Sequence, residues 1–266
     1  MNIKALPLLT LLFTILLAAC GGSDNPVASS SNETATTVLN GTWNASDASI
    51  TVSGNSISWQ MQSGGITQSA TTTETASGTF AIDTSTSPAR IDITITAYNG
   101  SNPDIVVGNT YFGIFTIDNG ALIIQVDFSR PSTRPTAFDP QKVLGLIRNV
   151  DLNAPFEGTW TGTDGTRSCT VSVSNNVFDM KIYENGQLVD GGKGAISFNQ
   201  NTIPKEFDIC IIDVYNASDT ANIGKKILGI YQLIGNSLTI ALGSENGPRP
   251  ASFVSDGSTE VIVLSF

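Results

Sequence analysis

The side chains able to do acid–base or covalent chemistry in this chain are few, and their spacing narrows what they can do. No histidine occurs among its 266 residues, which removes the commonest general base and the commonest metal ligand together and makes a serine triad impossible. Neither a G-x-S-x-G turn nor an S-x-x-K pair is present to activate a serine by another route. Glu206 and Asp208 lie two apart and share a face on a strand, so the pair could serve glycoside hydrolysis. Asp208 recurs earlier in the chain as Asp92, but Arg90 stands where Glu206 would be, so a solvated strand edge is the favoured account of the pair. Asp92 and Asp208 each follow a proline at a strand entrance. They are either carboxylates facing a cavity or acceptors for local backbone N–H groups, and an Asp beside a turn favours the second. Asp118-Asn119-Gly120 matches part of a calcium loop without its closing Glu and reads better as a hairpin turn. No catalytic residue, cofactor or metal site is expected, and the chain is not expected to be an enzyme.

Of the three cysteines, Cys169 and Cys210 have no equivalents in the first half of the chain. An even pair in an oxidising compartment suggests a disulfide, stabilising the second half by roughly 2–4 kcal/mol; two buried free thiols are the alternative.

The elements that hold these residues come in two copies. Gly108 to Phe138 and Gly224 to Phe253 align with Gly113, Ile114, Phe115 and Leu122 facing Gly229, Ile230, Tyr231 and Leu238 at one constant spacing, and with Arg134-Pro135 facing Arg249-Pro250. A period that long marks duplicated domains rather than a solenoid. Short segments with every second residue apolar, separated by Gly, Asn, Ser or Pro, run through both copies. In the first they cover 48–52, 56–61, 78–82, 91–98, 111–117 and 121–128, with 141–148 a short helix or a closing strand. In the second they cover 167–173, 177–183, 187–189, 195–198, 207–215, 227–234, 237–242 and 259–266. The fold class is therefore all-β. Two tandem antiparallel up-and-down barrels are expected, because closure removes exposed edges, with a β-sandwich as second choice.

Ahead of the copies, Lys4 and the apolar run Ala5 to Leu17 read as a leader too short to span a bilayer. Leu17-Ala18-Ala19-Cys20 resembles the bacterial lipobox, which implies cleavage before Cys20 and a lipid on its thiol. Gly21 follows in place of Asp, which by the same resemblance implies passage to the outer membrane of the cell envelope. The expected organisation is signal peptide 1–20, flexible linker 21–37 rich in Ser, Thr, Asn and Gly, first domain 38–150 and second domain 151–266. A formal charge of −10 argues against nucleic acid, which is held mainly by Lys and Arg.

Gly158-Thr159-Trp160, Pro204-Lys205-Glu206-Phe207-Asp208, Gly229-Ile230-Tyr231, Gly235-Asn236-Ser237-Leu238 and Arg249-Pro250 resemble the pattern of a bacterial lipocalin-like domain. The match covers 156–266; the first copy is looser, with Ala89 for the Lys and Phe115 for the Tyr. The resemblance implies an eight-stranded barrel without an established activity. It also implies that Trp43 and Trp160 close the barrel floors, with Arg134 and Arg249 as the cations over them; ordinary core tryptophans and loop arginines are the alternative. The expected function is a membrane-anchored lipoprotein whose barrels bind a small hydrophobic ligand. The alternative is a non-catalytic envelope interaction module with filled barrels.

Overall fold

The computed structural model describes residues 38–63, 72–148 and 154–266. Cys20, the leader and the linker lie outside the described residues, as does most of the boundary expected near Asp151 to Pro155. The first copy contributes β1 (Gly41–Asn44), β2 (Ala48–Ser53), β3 (Ser56–Ser63), β4 (Thr72–Asp83), β5 (Ala89–Asn99), β6 (Thr110–Asp118), β7 (Ala121–Val126) and β8 (Leu144–Ile147). The second contributes β9 (Gly158–Asp164), β10 (Arg167–Ser174), β11 (Val177–Glu184), β12 (Gln187–Asn199), β13 (Lys205–Val214), β14 (Lys226–Ile234), β15 (Ser237–Gly243) and β16 (Thr259–Ser265). Each set pairs in chain order and antiparallel, and closes on itself through Asn44 opposite Ile147 and Ser265 opposite Thr161. The fold is two closed eight-stranded barrels in tandem.

Alternation explains the interiors. In β2, Ala48, Ile50 and Val52 are buried and the residues between them are not. In β5 the buried set is Ile91, Ile93 and Ile95. Asn119-Gly120 and Asn185-Gly186 take positive φ, 48° and 81° in the first turn and 51° and 78° in the second, as tight two-residue hairpins require. One alternative of the sequence reading is settled, and one segment differs from it. Residues 141–148 supply the closing strand β8 rather than a helix, since β1 and β7 would otherwise each keep an open edge. Residues 187–189 and 195–198 are parts of one strand, β12. The run Asp190-Gly191-Gly192-Lys193-Gly194 offers no apolar alternation, yet ladders on both sides keep it extended, Lys181 facing Gly191 and Gly192 facing Val214.

β7 and β13 bury four or more residues in succession, and the reason is the contact between the barrels. Ala121 to Gln125 of β7 are all buried, because Leu122 and Ile124 face the first interior while Ala121 and Ile123 face outward. There they join Ile147 from β8 and Ala195, Cys210 and Ile212 from β12 and β13 in one apolar cluster between the barrels. The ladder between β12 and β13 shifts register so that Ile212 is the extra residue, and a bulge of this kind pushes its strand outward. At Gly145 of β8 an added Cβ would lie 2.3 Å from the Ile212 carbonyl oxygen, so only glycine admits this approach. Lys226 and Asp118 form an ion pair across the same junction at 2.7 Å.

Candidate functional site

In both copies the segment before the first strand turns under the barrel and inserts one apolar side chain. Leu39 is 1% exposed and packs in the first interior; Phe156 is 2% exposed and packs in the second. Each is held by the tryptophan four residues on: Trp43 Nε1 donates to the Leu39 carbonyl at 2.8 Å and Trp160 Nε1 to the Phe156 carbonyl at 2.9 Å. Phe156 meets Phe198 and Tyr231 edge-on, with centroids 5.1 and 5.0 Å away. The two tryptophans are buried at matching places on the first strands, but the arginines expected over them are not there. Arg148 lies over Trp43, 4.5 Å from the ring centroid, and donates to the Asn40 carbonyl at 2.9 Å. In the second barrel Phe266 occupies the matching place and meets Trp160 edge-on at 5.0 Å. The glycine of each G-T-W makes room for that covering side chain: a Cβ on Gly41 would sit 3.3 Å from Arg148 Cδ, and one on Gly158 2.5 Å from Phe266. Sequence reasoning missed Leu39, Phe156, Arg148 and Phe266. A large apolar residue four before each Trp was the visible signal for the first two.

Arg134 and Arg249 do different work. Their loops fold back along the outer wall, and each guanidinium bridges a strand pair. Arg134 donates to the carbonyls of Ile91 and Gly113 at 3.1 and 2.7 Å and to Asp92. Arg249 donates to the carbonyls of Phe207 and Gly229 at 2.9 and 2.6 Å and to Asp208, with Glu206 3.7 Å from its Nε. The planar five-donor fork suits three acceptors at once. This corrects the reading of Asp92 and Asp208 as local backbone acceptors. It also accounts for Glu206 and Asp208, which share a cation instead of forming a hydrolytic pair.

The disulfide does not form; both thiols are free. Cys169, on β10, packs against the second interior, whereas Cys210, on β13, faces the cluster between the barrels. Two strands separate theirs, and at about 4.8 Å per strand the gap exceeds the roughly 7 Å that a bridge tolerates. Burial pushes the Cys169 thiol up to about 11 and the Cys210 thiol up to about 12, with smaller contributions from Glu260 and Asp118 respectively. Neither is a nucleophile at neutral pH.

At the end of the second barrel away from Trp160, Glu260, Arg167 and Asp190 occupy inward-facing positions. Glu260 precedes the interior residue Ile262 by two, Arg167 precedes Cys169 by two, and Asp190 faces Ile182. Burial raises the Glu260 carboxyl above its ordinary range, Arg167 opposes that and Asp190 adds to it. Among the described residues no group of His, Cys, Asp and Glu could hold a metal ion, and no helix is long and apolar enough to cross a membrane. A depression of about 420 Å³ opens on the outer wall of the first barrel over β2 to β5. No family model matches this chain, and no curated protein matches it.

Proposed function

We propose that the chain is a bacterial cell-envelope lipoprotein, anchored through a lipid on Cys20, whose two lipocalin-like barrels act non-catalytically through their outer walls. One observation carries this reading: each interior is a single continuous cluster that draws a buried residue from all eight strands and is plugged from below by Leu39 or Phe156. An eight-stranded barrel is just wide enough for its own side chains to fill or for one small ligand, and the continuous clusters favour the first. The junction between the barrels supports the rest, since it fixes two outer walls as one unit.

A small hydrophobic ligand is the second reading, and it is favoured only in the second barrel. There the Tyr231 hydroxyl is buried without a hydrogen-bond partner among the described residues, a group that a polar ligand atom would satisfy. Mass spectrometry of an organic extract of the purified chain separates the two. The expected extract holds no small molecule in stoichiometric amount; a one-to-one ligand would replace the outer-wall reading. Membrane fractionation of Cys20→Ala tests the anchor, and the variant is expected in the soluble fraction.

A further inference from the structure

We propose that the outer wall of the first barrel over β2 to β5 binds a neutral glycan chain. This rests on the reading that the barrels work through their outer walls. Ladder register places two rows of outward side chains across these four strands. Thr51, Ser58 and Ser77 form one row, ending at Ala97. Ser49, Gln60 and Thr75 form the other, ending at Asn99. All line the 420 Å³ depression, and among the described residues no charged one does; the volume falls within the roughly 300–1,000 Å³ usual for small-ligand sites.

Hydroxyls and side-chain amides both donate and accept, which is what a polyol needs. Partner strands about 4.8 Å apart and alternate residues about 6.8 Å apart set a regular grid of such groups. Thr51 pairs with Thr42 on β1 at 3.2 Å, while the side chains of Ser58, Gln60, Thr75 and Asn99 make no hydrogen bond among the described residues. Other partner classes fit poorly. No Lys or Arg is present for phosphates, no apolar stripe for a lipid or an amphipathic helix, and the wall is a sheet face, so a peptide finds no unpaired backbone to extend.

The fold does not impose this chemistry. In the second barrel the positions of Ser58, Gln60, Ser77 and Ala97 are held by Asp179, Lys181, Lys193 and Asp213. Those charges are consumed among themselves and at the barrel junction. Lys181 pairs with Asp179 at 3.5 Å, the Tyr215 hydroxyl donates to Asp179 at 2.7 Å, and Lys193 and Asp213 both reach Ser46 of the first barrel. One copy keeps an open uncharged wall where its duplicate has a charged, occupied one.

The test titrates the full chain, held in a detergent without sugar headgroups, with tetrasaccharides of β-1,4-glucose, α-1,4-glucose and β-1,4-N-acetylglucosamine, read by calorimetry. At least one is expected to bind. The double variant S58D/S77K, which installs the second barrel's residues at outward-facing positions, is expected to weaken that binding about tenfold or more with an unchanged unfolding midpoint, while Thr170→Asp on the second barrel leaves it intact. Failure of all three sugars to bind, undiminished binding by S58D/S77K, or binding of heparin in their place would each overturn the proposal. A lipid found in the organic extract would count instead against the outer-wall reading, so the two failures are distinguishable.

Discussion

Removing the Arg249 guanidinium strands the carbonyls of Phe207 and Gly229 and leaves Asp208 beside Glu206 without their shared cation. Hydrogen bonds to a charged donor are worth about 1.5–3 kcal/mol each, and the side chain is 24% exposed, so Arg249→Met is expected to cost about 2–4 kcal/mol in urea denaturation. Arg249→Lys should recover only a minor part, because a point charge cannot span three acceptors. Glu260 gives a pH signature. Burial raises its carboxyl in the folded state above the ordinary 4.5, so the folded chain binds a proton that the unfolded chain has already released. Stability is lost as pH rises from the ordinary value through the folded one, and stays lost above it. Glu260→Gln removes that loss. The variant is expected to be more stable than the parent at pH 7, with the difference gone well below 4.5, as paired urea curves would show. For the thiols, a thiol reagent should find Cys169 and Cys210 nearly inert in the native chain at pH 7 and should count two groups after denaturation without reductant. A count of zero would restore the disulfide.

At the scale of strands, the parts with alternating apolar residues were legible and the parts held only by their neighbours were not. β5, β6, β7, β14 and β15 stand where their alternation or their Asn-Gly turns place them. The polar half of β4, with Ala76 the one buried residue among 73–77, and the glycine run of β12 carry no such signal; pairing on both sides makes them strands. The arginines show a similar limit. Repetition marked Arg134 and Arg249 as important, but a loop that folds back outside the barrel or one that lies across its floor would give the same spacing, and only the three-dimensional path decides. The bulge is the feature no local pattern reveals. It falls at the same place in both copies, with Thr96 the extra residue in one and Ile212 in the other. The partner of Ile212 is Gly145, whose counterpart across the duplication is Val263, 61% exposed. Gly145→Ala should therefore press a methyl group into the Ile212 backbone and cost about 1–3 kcal/mol. Val263→Ala, on the matching free wall, should stay within about 0.5 kcal/mol.

The contact between the barrels joins unlike walls, β7 and β8 of one to β12 and β13 of the other, and a head-to-tail contact of this kind can in principle continue from copy to copy. Both outer ends of the pair are closed to it by composition. The wall of the first barrel matching Ala195, Cys210 and Ile212 carries Thr79, Thr94 and Thr96, and the wall of the second matching Ala121, Ile123 and Ile147 carries Ser237, Thr239 and Ser265. The second barrel has a complete interior of its own, so residues 151–266 expressed alone are expected to fold. The isolated barrel, however, uncovers Ala195, Cys210 and Ile212, which are 0%, 1% and 6% exposed in the whole chain, and an apolar patch newly opened to water drives association. Sedimentation should find the isolated barrel self-associated, and the triple substitution A195T/C210T/I212T, copied from the first barrel, should return it to a monomer with its strand content unchanged. An isolated barrel that stays monomeric without those substitutions would show that the junction contributes little to holding the two copies together. One that is unfolded with or without them would show that the second barrel depends on the first to fold.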